Sequence, residues 1–213
     1  MTIAYSYYLV ADEQACAPLS IIDAVQRVIN DGVSCVQLRM KKQDRETIIR
    51  TGKKLLHLLN DRNIPLIIND HPDVALAIGA AGVHIGPSDE NYPSVRRQLG
   101  YKKIIGLTIE NSQQAQQCRH YDCDYFGVGP VFATETKKYL TPPLGIAHLS
   151  LITKILNAPV VAIGGINLEN IQSVLDTHVA GVAVASAIFR SVQPSALSQK
   201  LAHTLLQNHY VKT

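Results

Sequence analysis

Short apolar runs punctuate the chain, and between them apolar residues return every three or four positions. Tyr7–Ala11 (YYLVA), Ser34–Arg39 (SCVQLR), Ile64–Ile68 (IPLII) and Gly82–Gly86 (GVHIG) are the first four runs. Lys103–Thr108 (KIIGLT), Asp124–Val128 (DYFGV), Pro159–Ile163 (PVVAI) and Gly181–Ala185 (GVAVA) are the others. They are short, apolar and β-branched, which predicts parallel strands covered on both faces. The first intervening stretches predict a helix over Leu19–Ile29 stopped by Gly32, and a long amphipathic helix from an Asp44 cap to about Asp61. Further helices are predicted over Asp73–Ala81, Pro93–Gly100, Ser112–Tyr121, Leu149–Leu156, Leu168–Thr177 with an Asn167 cap, and Pro194–Gln207.

Strand–helix units at intervals of roughly 20–30 residues make a βα repeat. Eight such units closing on themselves predict an α/β fold, a (β/α)8 TIM barrel, as a single domain over residues 1–213. An open doubly wound sheet is the alternative. Near-equal units and the lack of a Gly-x-Gly-x-x-Gly turn favour closure, and no linker-like segment divides the chain.

Hydrophobic residues make up 46% of the 213 residues, enough for a full core. The formal net charge of +3 comes from scattered Lys and Arg, so neither a nucleic-acid nor a membrane partner is expected. Cys16, Cys35, Cys118 and Cys123 have no metal-ligand spacing and read as free thiols of a reducing compartment. The opening MTIAYSYYLV lacks the basic start and cleavage site of an export signal, and no apolar run reaches membrane-spanning length. A soluble cytoplasmic protein is expected.

In a barrel of this type chemistry gathers at the C-terminal ends of the strands. Strand two delivers Gln37, Arg39 and Lys41, which alternation puts on one side; strand three delivers Asn69 and Asp70, strand four Asp89, strand five Thr108. After strand six, DYFGVGPVFATETKK passes through Gly129-Pro130 into a loop with Thr134, Thr136, Lys137 and Lys138. These donors suit a phosphate, and Glu135 alone repels it. Strands seven and eight end in Gly164-Gly165 and Ala185-Ser186, small enough for a phosphate to reach the backbone. Singly, each has an ordinary reading as a turn, a cap or a surface ion pair, and His84 inside an apolar strand reads as a core histidine. Together they gather cations, carboxylates, amides and hydroxyls at one rim. Two carboxylates facing a polyphosphate point to Mg²⁺ on Asp70 and Asp89, with Arg39, Lys41 and Lys137 neutralising the remaining charge. The Thr134 and glycine side forms a separate anion pocket. Such a rim suits a diphosphate leaving group beside a phosphorylated acceptor, without identifying either.

VQLRMK (Val36–Lys41), IND (Ile68–Asp70), GVHIG with Asp89, DYFGVGPVFATETKK, AIGGI (Ala162–Ile166) and GVAVASAI (Gly181–Ile188) occur in this order. In these segments, over nearly the whole chain, the sequence resembles the thiamine-phosphate synthase family. The resemblance implies a transferase with Mg²⁺ as cofactor. Its substrates would be 4-amino-2-methyl-5-hydroxymethylpyrimidine diphosphate and 4-methyl-5-(2-phosphoethyl)thiazole, its products thiamine phosphate and diphosphate. By position it implies that Gln37, Leu38, Arg39, Met40, Lys41 and Asn69, with Thr108 and Lys137, face the pyrimidine diphosphate. Thr134, Glu135, Thr136, Gly165, Ala185 and Ser186 would hold the thiazole phosphate, and Asp70 and Asp89 the metal. Arg39, Lys137 and Thr108 would carry the catalysis. Assembly into a homo-oligomer is left open.

Two departures stand out. Where the family often reads His-x-Gly-Gln, this chain has Pro87 in place of Gln and Ser88 where an acidic residue is common, and Thr108 replaces the usual Ser. The rival readings are a thiazole tautomerase-like isomerase on the same fold and a non-catalytic ligand-binding barrel.

Overall fold

A computed structural model describes residues 5–134 and 142–210. Strands β1 (Tyr7–Asp12), β2 (Cys35–Arg39), β3 (Leu66–Asn69), β4 (Gly82–Ile85), β5 (Ile104–Ile109), β6 (Tyr125–Val128), β7 (Val160–Ile163) and β8 (Gly181–Val184) form a closed parallel barrel in sequence order. β8 pairs back onto β1, with Tyr8 opposite Ala183. The open-sheet alternative is therefore excluded.

Each strand leads to helix: α1 (Glu13–Cys16) and α2 (Ile21–Gln26), α3 (Arg45–Asn60), α4 (Pro72–Ile78), α5 (Tyr92–Leu99), α6 (Ser112–Cys118), α7 (Gly145–Ile155), α8 (Ile171–Leu175), then α9 (Ser186–Phe189) and α10 (Pro194–Tyr210). Side-chain caps start several of them. Asp44 accepts from the Thr47 N–H at 2.8 Å, Asn91 from Ser94 at 3.1 Å and Asn111 from Gln114 at 2.9 Å. The short α1 and α9 go beyond the sequence expectation, since neither is long enough to show a helical period. α8 is shorter than expected because Asn167 caps a turn instead. Its side chain accepts from the N–H groups of Glu169 (2.9 Å) and Asn170 (3.3 Å). Among the described residues no helix is long and apolar enough to cross a membrane.

Strand alternation splits the core in two. One parity, with Leu9, Val36, Ile68, Val83, Leu107, Phe126, Ala162 and Val182, packs outward against the helices and forms the large apolar cluster. The other parity, with Tyr8, Val10, Cys35, Ile67, Ile104, Tyr125, Val161 and Ala183, fills the barrel interior. Leu9, Val36, Ile68 and Phe126 are each 0% exposed. At roughly 1.5–3 kcal/mol per fully buried apolar side chain, this outer layer supplies most of the apolar stabilisation and leaves the interior freer to carry polar groups.

Candidate active site

The strand C-termini open into a cavity of about 860 Å³. Gln37, Arg39 and Lys41 line it from β2, Asn69 and Asp70 from the end of β3, Asp89 from beyond β4 and Thr108 from β5. Thr134 follows β6, Gly165 follows β7, and Ala185 and Ser186 follow β8. Most of the expected site residues thus meet at one mouth. Leu38 and Met40 do not line it. Alternation turns Leu38, 1% exposed, into the outer apolar layer, and Met40 packs against that layer. Of the expected Gln37–Lys41 segment, the side chains that line the cavity are therefore Gln37, Arg39 and Lys41. Glu135, Thr136 and Lys137 lie outside the described residues.

On the β2–β4 side, charges hold one another in place. The register sets Asp12 opposite Arg39, and the Arg39 guanidinium donates to the Asp12 carboxylate. The other Asp12 oxygen accepts from the Gln14 and Ala15 N–H groups, both at 3.0 Å, so one buried carboxylate caps α1 and anchors Arg39. Lys41 Nζ lies 2.5 Å from Asp70 Oδ2. Asp70 has φ +65°, a conformation costly for most residues and best tolerated by Asn and Asp, and its N–H donates to the His84 carbonyl at 2.9 Å. Asp89 accepts the Gly86 N–H at 2.7 Å. Burial, then the adjoining Asp70 carboxyl, pushes the Asp89 pKa above the usual carboxylate range.

The β7–β8 side is built from main chain and small side chains. The Val131 N–H donates to the Ile163 carbonyl (2.9 Å) and the Phe132 N–H to that of Gly164 (3.0 Å), pinning the segment after β6 onto the end of β7. A Cβ on Gly165, whose φ is +65°, would stand 2.4 Å from the Ala133 carbonyl oxygen. Only glycine fits. Asn170 Nδ2 donates to the Gly165 carbonyl at 2.9 Å. Asn167 and Arg190 also line this side, and sequence reasoning missed both.

One wall gathers paired charges, and the other is largely main chain and small side chains with Arg190 among them. The family described as thiamine monophosphate synthase matches residues 7–188. The chain belongs to the thiamine monophosphate synthase family. It is 39% identical over 203 residues to a thiamine-phosphate synthase of Clostridium novyi, covering 95% of this chain and 100% of that one. It is 40% identical over 199 residues to one of Vibrio campbellii, covering 93% and 97%. A solved thiamine phosphate pyrophosphorylase from Pyrococcus furiosus superposes with a TM-score of 0.87 at 28% identity, covering 97% and 98%. A 3-hexulose-6-phosphate synthase from Salmonella typhimurium, at 16% identity and TM-score 0.70 over 96% and 100%, shares the fold alone. As a member of the synthase family the protein is a transferase of thiamine biosynthesis.

Among the described residues no three His, Cys, Asp or Glu side chains cluster to hold a metal. The facing pair Asp70 and Asp89 nonetheless fits a hard divalent cation. Two partly buried carboxylates this close favour a shared proton or a cation between them, and Mg²⁺ needs only one or two protein carboxylates when a phosphate supplies further oxygens.

Below the mouth of this synthase-family barrel lies a polar floor that sequence reasoning did not find. Gln37 Nε2 donates to the Tyr8 hydroxyl at 3.0 Å, and the Tyr8 and Tyr125 hydroxyls are 2.7 Å apart. His84 reaches Tyr125 through Nδ1 (2.9 Å) and Thr108 through Nε2 (2.8 Å). His84 is thus not a plain core histidine. It is half-buried, faces the cavity and bridges two hydroxyls. Glycines make the room. A Cβ at Gly106 would stand 2.1 Å from the Tyr125 ring, and one at Gly127 would stand 2.9 Å from the His84 ring. Tyr8 and Tyr125 are buried, and burial pushes both phenol pKa values well up. Strand parity, the one signal in the sequence, puts Tyr8, His84 and Tyr125 on the same inward side as Gln37 and Thr108.

Proposed function

We propose that this chain joins 4-amino-2-methyl-5-hydroxymethylpyrimidine diphosphate to 4-methyl-5-(2-phosphoethyl)thiazole, giving thiamine phosphate and diphosphate. The observation that carries this reading is a single mouth with two unlike walls, one of paired charges and one largely of main chain and small side chains. Membership of the thiamine monophosphate synthase family supports it.

The chemistry follows from the walls. The bond between the pyrimidine methylene carbon and the diphosphate oxygen breaks, and its electron pair leaves with the diphosphate. The aminopyrimidine ring spreads the positive charge left on carbon, and the thiazole nitrogen donates its lone pair to form the new C–N bond. Arg39, fixed by Asp12, and Lys41 meet the charge that builds on the leaving group, and Lys137 adds to them. Asp70 and Asp89 would hold Mg²⁺. When bound, that ion neutralises diphosphate charge and makes it a better leaving group. Gln37, Asn69 and Thr108 orient the pyrimidine. Gly165, with Ala185, Ser186, Thr134 and Thr136, holds the thiazole phosphate, so that the nitrogen and carbon face each other. No protein nucleophile is needed.

The same reading makes the protein a cytoplasmic, one-domain enzyme. The four cysteines are unpaired, and burial pushes the Cys16 and Cys123 thiols up to about 12. Incubation with both substrates and Mg²⁺ tests the proposal, with stoichiometric thiamine phosphate and diphosphate as the expected result. Thiazole isomerisation without diphosphate release, or binding without turnover, would overturn it.

A further inference from the structure

The polar floor has a direction. We infer that Gln37, Tyr8, Tyr125, His84 and Thr108 form a one-way hydrogen-bond chain that fixes Thr108 as a donor toward the cavity, with Tyr8, Tyr125 and His84 as positioning residues. This rests on the proposed function only for what Thr108 meets, the pyrimidine.

Counting protons along the chain gives the direction. The Gln37 amide nitrogen can only donate, so the Tyr8 oxygen accepts from it. The one phenolic proton of Tyr8 then goes to the Tyr125 oxygen, 2.7 Å away, rather than to the Cys35 sulfur, a weaker acceptor. Tyr125 has one proton left to give, and His84 Nδ1 lies 2.9 Å from it, so Nδ1 accepts. A neutral imidazole with Nδ1 unprotonated carries its proton on Nε2, which donates to Thr108 Oγ1 at 2.8 Å. With its oxygen occupied by that donor, the Thr108 hydroxyl turns its proton into the cavity it lines.

A doubly protonated His84 would break the order, because Tyr125 would accept twice and its own proton would be stranded in a site that is 0% exposed. Tyr8, 2% exposed, meets Gln37 and Tyr125, with the Cys35 thiol beside them. Burial keeps both phenols protonated, so each brings one proton to the chain. Packing holds the geometry: the Tyr125 ring lies between Tyr5 (centroids 4.7 Å apart) and His84 (5.5 Å). The chain presents a hydrogen-bond donor to an acceptor atom on the pyrimidine diphosphate, a ring nitrogen or an ester oxygen. An exocyclic amine, itself a donor, would be mismatched there.

The test has two arms. In ¹⁵N-histidine-labelled protein, the His84 signal, identified by its loss in H84Q, is expected to report the Nε2–H tautomer with Nδ1 unprotonated, and to lose that fixed tautomer in Tyr125→Phe. A wild-type Nδ1–H tautomer would overturn the direction whether or not the enzyme turns over. In the kinetic arm, Tyr125→Phe is expected to lower kcat about tenfold, as one lost oriented hydrogen bond does, with the KM for thiazole phosphate unchanged. The same substitution is expected to have no further effect in a Thr108→Val background. Equal losses in both backgrounds would overturn the chain as a positioning device. Tyr8→Phe is expected to repeat the pattern, with thermal melting to check folding. If wild-type protein releases no diphosphate, the functional reading fails while the tautomer result still stands or falls by itself.

Discussion

The two walls of the mouth meet an anion by opposite means. From β2 to β4 the tools are long charged side chains, and each cation has its own carboxylate: Asp12 for Arg39 and Asp70 for Lys41. From β7 to β8 the tools are mostly main chain and small side chains, with Arg190 beside them, and the main chain is held by hydrogen bonds from Val131, Phe132 and Asn170. The first wall is tuned by charge and can change its potential when an ion binds. The second is tuned by volume and is fixed once the barrel folds. Perturbing charge should therefore injure one substrate, and perturbing volume the other.

The largest effect is expected from removing the metal, by chelation or by Asp89→Ala. Turnover should fall about 10³-fold, while calorimetric affinity for thiazole phosphate stays within about threefold. An equal loss of thiazole affinity would show that the walls are not separate. Gly165→Ala comes next. Its Cβ meets the Ala133 carbonyl at 2.4 Å in a left-handed conformation, a strain of about 1–3 kcal/mol, so the KM for thiazole phosphate should rise about 5–150-fold. The KM for pyrimidine diphosphate should barely move. Lys41→Met should raise that second KM about tenfold by removing a charged donor, and added salt should shrink the gap between variant and parent. Smallest on turnover is Leu38→Ala. It should cost about 2–5 kcal/mol in denaturant unfolding and leave both KM values alone, since its side chain lies behind the wall.

The chain spelled out its strands well because parallel strands covered on both faces must be apolar throughout. All eight expected strands overlap observed ones, and Asp44 caps α3 as read. The rim residues were legible for a similar reason: a barrel dictates that strand ends share a mouth. Parity could also have excluded Leu38 and Met40, which alternate with Gln37, Arg39 and Lys41. The Asp12–Arg39 pair was within reach, because neighbouring strands of known order set those two ends side by side. The polar floor was not legible. Tyr8 and Tyr125 are 117 positions apart, and period two tells which way a side chain points but not what it meets across the barrel. Asn167 and Arg190 escaped because they follow strand ends through turns and a four-residue helix that show no period.

Gly106 leaves a hollow shaped to one phenol ring, since any β-carbon there would stand 2.1 Å from Tyr125. Positions 106 and 125 are thereby locked as a pair. Variation at 106 alone collides, and trimming 125 alone opens a void, so neither drifts by single steps. A library meant to reshape the pyrimidine side of this enzyme should mutate the two codons jointly.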